Sequence, residues 1–183
     1  HAQLGELQEH FGKRGVQNLL YRLALAQLEA AAARYASELS DGRLQLRLAF
    51  DEKLSTVRKR VQVRRADGSL AERSISQLSG GEWRRLALAL SLAFADFARQ
   101  RLGISCNVLV LDEVMQQMDV DGQAAMARVL KGLQVETTIV IAHGLASDAL
   151  YGDFEAVDVV EKVGDASRVK VGGRQVAEVG IPF

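Results

Sequence analysis

Two short apolar strands, separated by a helix and each running into polar residues at its carboxyl end, constrain this chain more than any other feature. Val108-Leu109-Val110-Leu111 delivers Asp112-Glu113, and the run from Thr137 to Ala142 ends at His143. Between them, the pattern from about Gly122 to Lys131 is helical. Apolar runs of this length suit strands buried on both faces, and a strand–helix–strand unit makes its two strands parallel neighbours. In open α/β sheets the chemistry gathers where such strands end. The expected fold class is therefore α/β, with parallel core strands, flanking helices and an active edge near Asp112, Glu113 and His143.

A second feature stands upstream. Leu78-Ser79-Gly80-Gly81-Glu82 opens a helix running to about Arg101, with Trp83, Leu86, Leu90, Phe94 and Phe97 as its apolar stripe. Leu88, Leu92 and Ala95 widen that stripe until the helix reads as buried nearly all round. Ser79 and Glu82 have the spacing of a capping box, in which the serine accepts from the third helical amide and the glutamate reaches back. Capping leaves the glycines unexplained, since each costs roughly 1 kcal/mol against alanine inside a helix. Two in the first turn make sense if something must approach the backbone closely. An anion does so where free N–H groups and the helix dipole favour negative charge.

The strand-end acids carry a matching possibility. A carboxylate pair at the end of a buried strand suits a magnesium ligand, Asp112, and a group that orients or deprotonates an attacking water, Glu113. Taken alone, the same pair reads equally as a solvated acidic turn. Asp119 follows seven residues after Asp112, in Val114-Met115-Gln116-Gln117-Met118-Asp119. His143 is either a structural histidine or a contact for a terminal phosphate or its attacking water.

In this order the four signals resemble an ABC-type ATPase. Leu78 to Glu82 resembles the signature loop, the strand into Asp112-Glu113 the Walker B strand, Met118-Asp119 the D-loop, and His143 the H-switch. The 30 residues from Glu82 to Asp112 are ordinary for that superfamily. Within it the chain is most similar to SMC-like and SbcC-type DNA-repair ATPases. Phe11-Gly12-Lys13-Arg14-Gly15-Val16-Gln17, a long helix and Leu39-Ser40-Asp41-Gly42 look like the place where a returning coiled coil meets its head. A β-hairpin precedes the signature where transporter ATPases carry a helical subdomain.

Val114 stands where the family usually has proline, and Gly144 where an acidic or polar residue is commoner. Gly12-Lys13 is not a phosphate loop, because GxxxxGK followed by Ser or Thr appears nowhere. The chain begins at His1 without a charged-then-apolar leader, which suggests a piece of a longer protein.

The resemblance implies the C-terminal lobe of an ABC-type P-loop ATPase head. Residues 1–40 would form a helical segment at the base of a coiled coil, and 41–183 the lobe itself. It implies ATP and Mg²⁺ as cofactors, and an N-terminal half of the same head supplying the Walker A loop. A second head would dimerise with this one on ATP; DNA and a nuclease subunit are the further partners. Ser79, Gly80, Gly81 and Glu82 would then serve the partner's nucleotide, with Asp119 communicating across the interface. Asp112, Glu113 and His143 would serve the nucleotide of their own head. Double-strand-break repair or chromosome maintenance is the leading function. A transporter's nucleotide-binding subunit, or a non-hydrolysing clamp, is the alternative, and retention of Glu113 and His143 opposes the clamp.

The rest of the sequence bounds these readings. Leu44, Leu46 and Leu48 alternate with polar or small residues, and a second strand from Val57 to Arg65 puts Val57, Val61 and Val63 on one face. Its other face carries Arg58, Arg60 and Arg64, which either contact DNA phosphates or form a solvated outer face. The formal charge is zero, 23 basic against 23 acidic residues, so any DNA contact must come from such a local patch. The long helix is expected from Val16 to Leu39, with Leu19, Leu23, Ala26, Ala30 and Ala33 as its stripe and a further helix over Ala2–Phe11 before it. No apolar stretch approaches the roughly 18 residues a spanning helix needs. The single cysteine, Cys106, forbids an internal disulfide and fits a reducing, intracellular compartment. Val157–Val163 and Ser167–Val171, around Gly164-Asp165, read as a closing hairpin.

Overall fold

Helix α1, Lys13–Glu38, starts the computed structural model, which describes residues 13–51, 56–143, 148–163 and 166–172. The helix expected over Ala2–Phe11 and the departure at Gly144 lie outside the described residues. Lys13 to Gly15 are helical, so the long helix begins ahead of the expected Val16. The buried face of α1 is not the expected stripe. Leu19, Leu23, Ala26 and Ala30 are exposed, and Ala32, Tyr35 and Ala36, with Leu39 just beyond the helix, are buried. Leu25 and Leu28 pack beside them. An Ala- and Leu-rich helix offers more than one apolar stripe, and only the packing partner selects between them.

The helix ends in a left-handed turn, with Asp41 at φ 48° and Gly42 at φ 76°. The Gly42 amide donates to the Ser37 carbonyl at 2.8 Å, satisfying one of the helix's orphan acceptors. Buried Ser40 splices helix to sheet: its hydroxyl donates to the Ala36 carbonyl and accepts from the Leu44 amide.

Three antiparallel strands follow: β1 Leu44–Asp51, β2 Thr56–Arg64 and β3 Leu70–Arg73. Leu44, Leu46 and Leu48 point into the core, as alternation requires, and Val61 and Val63 meet them from β2. Val57 lies beyond the core and is exposed. The turn at Asp67-Gly68 (φ 82° at Gly68) leads into β3, a strand that the sequence pattern does not announce. With only four residues and no alternation of burial, β3 carries no periodic signal.

Helix α2, Gly80–Leu102, packs on α1 and ends at Gly103 in the left-handed region. Its buried face is Arg85, Leu86, Leu88, Ala89, Leu92 and Ala93. Trp83 and Phe94 are exposed, so the expectation of a helix buried all round is corrected: α1 and the sheet cover one side only. A polar clasp at Asp96 joins the two helices. The Tyr35 hydroxyl donates to Asp96 at 2.6 Å, and Arg34 and Arg99 flank the same carboxylate. Burial and the hydrogen bond to Asp96 push the Tyr35 phenol above its ordinary value.

Strands β4, Val108–Asp112, and β5, Thr137–Ile141, pair in parallel, connected through helix α3, Val120–Lys131. The inward face of this pair, Leu109, Leu111 and Val140, joins the core. The other face is open, with Val110 at 55% and Ile139 at 47% exposure. Burial on both faces, expected from their composition, is therefore met on one face only. Strands β6, Asp158–Val163, and β7, Ala166–Val171, form the expected closing hairpin. The architecture is mixed α/β: an antiparallel meander, a parallel pair at the core and an antiparallel hairpin. Among the described residues no helix is long and apolar enough to cross a membrane.

Leu46 is 1% exposed, whereas Leu19 is 57% exposed. Leu46→Ala is expected to lower the stability of this chain by about 2–5 kcal/mol, and Leu19→Ala by less than about 1 kcal/mol. Urea unfolding midpoints that move equally in both variants would contradict this core.

Candidate nucleotide site at the signature helix and the Walker B strand end

The parallel register sets the geometry. Asp112 pairs with Ile141, and the ladder continues one step as the Glu113 amide donates to the Ile141 carbonyl at 2.8 Å. This brings Glu113 and His143 to the same edge, where His143 Nε2 contacts Glu113 Oε1. The second Glu113 oxygen accepts from the Gln116 side-chain amide. Asp112 is exposed at the strand's last position. Glu113 adopts φ 52°, which turns the chain sharply out of the strand.

The turn that follows is anchored rather than loose. Met115 and Met118 are buried, the Gln123 side chain donates to the Met115 carbonyl, and Gln117 is again left-handed at φ 60°. Asp119 caps α3, its carboxylate accepting from the Gly122 amide at 2.9 Å. The same oxygen pairs with Arg85 of α2. Arg85 is 8% exposed, and its Nε has no hydrogen-bond partner among the described residues.

Ser79 and Glu82 form the capping box expected of them, with both hydrogen bonds present at 3.2 and 2.9 Å. The amides of Gly80 and Gly81 open α2 and have no carbonyl within the helix to donate to. The close approach that explains these glycines is visible inside the chain. A Cβ on Gly81 would lie 2.9 Å from the Gln117 carbonyl oxygen, and one on Gly80 would lie 2.7 Å from the Gln117 side-chain oxygen. The first contact is with backbone and cannot yield cheaply; the second is with a side-chain tip. The glycines thus have an intrachain reason beside the anion reading.

Asp112 suits magnesium as a single hard oxygen ligand, because Mg²⁺ takes one or two carboxylates and completes its shell with water and phosphate oxygens. Among the described residues no three His, Cys, Asp or Glu side chains converge as a self-sufficient metal nest. The expected basic face is largely neutralised. Arg58 pairs with Asp51, Arg60 with Glu72 and neighbouring Arg47 with Glu29; Arg64 is exposed on the same face.

Residues 55–132 match the family model described as SbcC/RAD50-like, Walker B motif. That segment is an SbcC/RAD50-like Walker B region. Over 134 residues, 70% of its length, the chain is 30% identical to the DNA double-strand break repair Rad50 ATPase of Aeropyrum pernix; it spans 13% of that relative. The fold is that of SMC heads. A solved SMC ATPase, from work on its ATP-driven dimerization and DNA-stimulated activation, matches with a TM-score of 0.64 at 18% identity, over 84% of this chain and 88% of that one. An Smc head bound to the C-winged helix domain of ScpA matches at 0.67 and 16% identity, over 91% and 48%. The Smc head with coiled coil and joint from Pyrococcus yayanosii matches at 0.63 and 19%, over 93% and 31%. The chain thus combines an SbcC/RAD50-like Walker B region with the fold of an SMC head lobe.

Within this region four residues carried no expectation: Arg85, Gln116, Gln117 and Gly122. Gln116 and Gln117 sit in a motif that was read only for its acids. Arg85 carried one signal, a charge on what is otherwise an apolar helix. Gly122 could not be judged without its neighbour, for a Cβ there would run into the Arg85 guanidinium and the Asp119 carboxylate. Gly122→Ala gains helix propensity but expels a buried guanidinium from its ion pair with Asp119, so the variant is expected to lose about 1–3 kcal/mol. A urea midpoint at or above that of the parent would show that Arg85 can be rehoused.

Proposed function

We propose that this lobe binds and hydrolyses ATP when completed by an N-terminal half carrying the phosphate loop. The observation that carries this reading is the juxtaposition of Glu113 and His143 at the carboxyl edge of β4 and β5, one residue beyond Asp112. Glu113 takes a proton from water as its oxygen bonds to the γ-phosphorus. The bond from phosphorus to the bridging oxygen breaks, and ADP leaves with the electron pair. His143 holds Glu113 and reaches the terminal phosphate. Asp112 would hold Mg²⁺, which neutralises charge on the β- and γ-phosphates.

Ser79 and the amides of Gly80 and Gly81 are suited to the γ-phosphate of a nucleotide held by a second head, since they present orphan donors at a helix N-terminus. Glu82 keeps that helix end capped. Asp119, at the start of α3, would meet the opposite head. The half-open face of β4 and β5 supports the partnership within one head: exposed Val108, Val110, Ile139 and Ile141 form an apolar strip suited to a further strand or helix of the N-terminal half.

The wider role, ATP-driven head closure in DNA double-strand-break repair or chromosome maintenance with DNA and a nuclease as partners, rests on the Rad50 and SMC resemblances. A chain with these partners works inside the cell. Arg58, Arg60 and Arg64 are the local candidates for DNA, weakened by their acidic neighbours.

In the completed head, Glu113→Gln is expected to lower ATP turnover at least about 100-fold and to accumulate an ATP-bound dimer on size exclusion. Unchanged turnover would remove Glu113 from the mechanism, and this chain by itself is expected to show none. Charge reversal at Arg58 and Arg60 is expected to weaken DNA binding and flatten its salt dependence. An unaltered salt slope would assign that face to solvent.

A further inference from the structure

We propose that Gln116 is a positioning residue for Glu113, fixing the carboxylate in the orientation that receives the proton of the attacking water; this rests on the ATPase reading above. Glu113 has two carboxylate oxygens and the structure gives each a separate partner, His143 on Oε1 and the Gln116 amide on Oε2. The two partners differ in how firmly they are held. His143 is 81% exposed and lies beyond the end of β5, so little besides Glu113 restrains its imidazole among the described residues. Gln116 is seated in a turn closed by its own amide, which donates to the Glu113 carbonyl at 3.2 Å. Buried Met115 and Met118 pin that turn on either side, and the Gln123 side chain holds the Met115 carbonyl.

The backbone makes the contact specific to this position. Glu113 and Gln117 both take positive φ, 52° and 60°, at the two ends of this turn. The consequence is a division of labour between adjacent glutamines. Gln116 grips the carboxylate at the end of β4, and Gln117 lies against the two glycines that open α2. A donor built into a rigid turn keeps a carboxylate aimed without reorganisation, whereas an exposed histidine alone does not.

The test compares the completed head with Gln116→Met, which keeps the length of the side chain and removes its donor, and with Gln116→Glu, which places a like charge there. Two readings are taken: steady-state ATP turnover resolved into kcat and KM, and the melting temperature of each head. Gln116→Met is expected to lower kcat about tenfold with KM for ATP and the melting temperature unchanged. Gln116→Glu should lower kcat further, again without moving KM. An unchanged kcat in both variants overturns the proposal. So does a loss of kcat that tracks a lowered melting temperature, because that is a folding effect. A parent head that fails to hydrolyse ATP overturns the ATPase reading itself, and is told apart from failure of this proposal because it appears before any substitution.

Discussion

The parallel pairing of β4 with β5 is the constraint on which the rest of the site depends. Once Asp112 is opposite Ile141, the Glu113 amide can reach the Ile141 carbonyl, and Glu113 and His143 emerge at one edge. A slip of one residue would turn Glu113 to the other face and carry Leu111 out of the core. Burial of Leu109, Leu111 and Val140 against α2, α3 and the methionines of the turn therefore sets the positions of the polar groups at the strand ends. The apolar core and the polar edge are one structural decision.

A second layer of order comes from helix α2. Its first turn is held to the turn after β4 by two kinds of contact: Gln117 against Gly80 and Gly81, and Arg85 paired with Asp119 beneath them. The cost of burying a guanidinium is met only if its partner stays in place, so the start of α3 is committed to that geometry. Gly122 keeps the space. In the functional reading proposed above, the groups offered to a neighbouring head and those serving the chain's own nucleotide are thereby parts of one packed unit, and a displacement of either must be felt by the other.

The open sides of the lobe give the structure its direction. One face of the parallel pair is apolar and uncovered, as are the N-terminal portion of α1 and the outer side of α2 at Trp83 and Phe94. These surfaces lie on four elements, β4, β5, α1 and α2, whereas Arg58, Arg60 and Arg47 of the basic strand face are paired with Asp51, Glu72 and Glu29. Burial of further apolar surface is thus a stronger pull on this lobe than its local charge, as the completion of the head proposed above requires.

What the amino-acid sequence determined by itself was local and periodic. The capping box at Ser79 and Glu82, the alternation of Leu44, Leu46 and Leu48 and the strand into Asp112-Glu113 depend on neighbours a few residues away, and each was legible. The parallel α/β class followed from two apolar runs and the helix between them. The tertiary structure alone decided which stripe of α1 and α2 faces inward, because both helices are rich enough in Ala and Leu to offer several, and the choice belongs to whatever packs against them. It alone decided why Gly81 and Gly122 are glycines, and that Gln116 and Gln117 reach opposite ways. Those facts turn on the position of an Arg85 guanidinium and a Gln117 carbonyl more than 30 residues away in one direction or the other, and contacts at that separation leave no mark in periodicity or spacing.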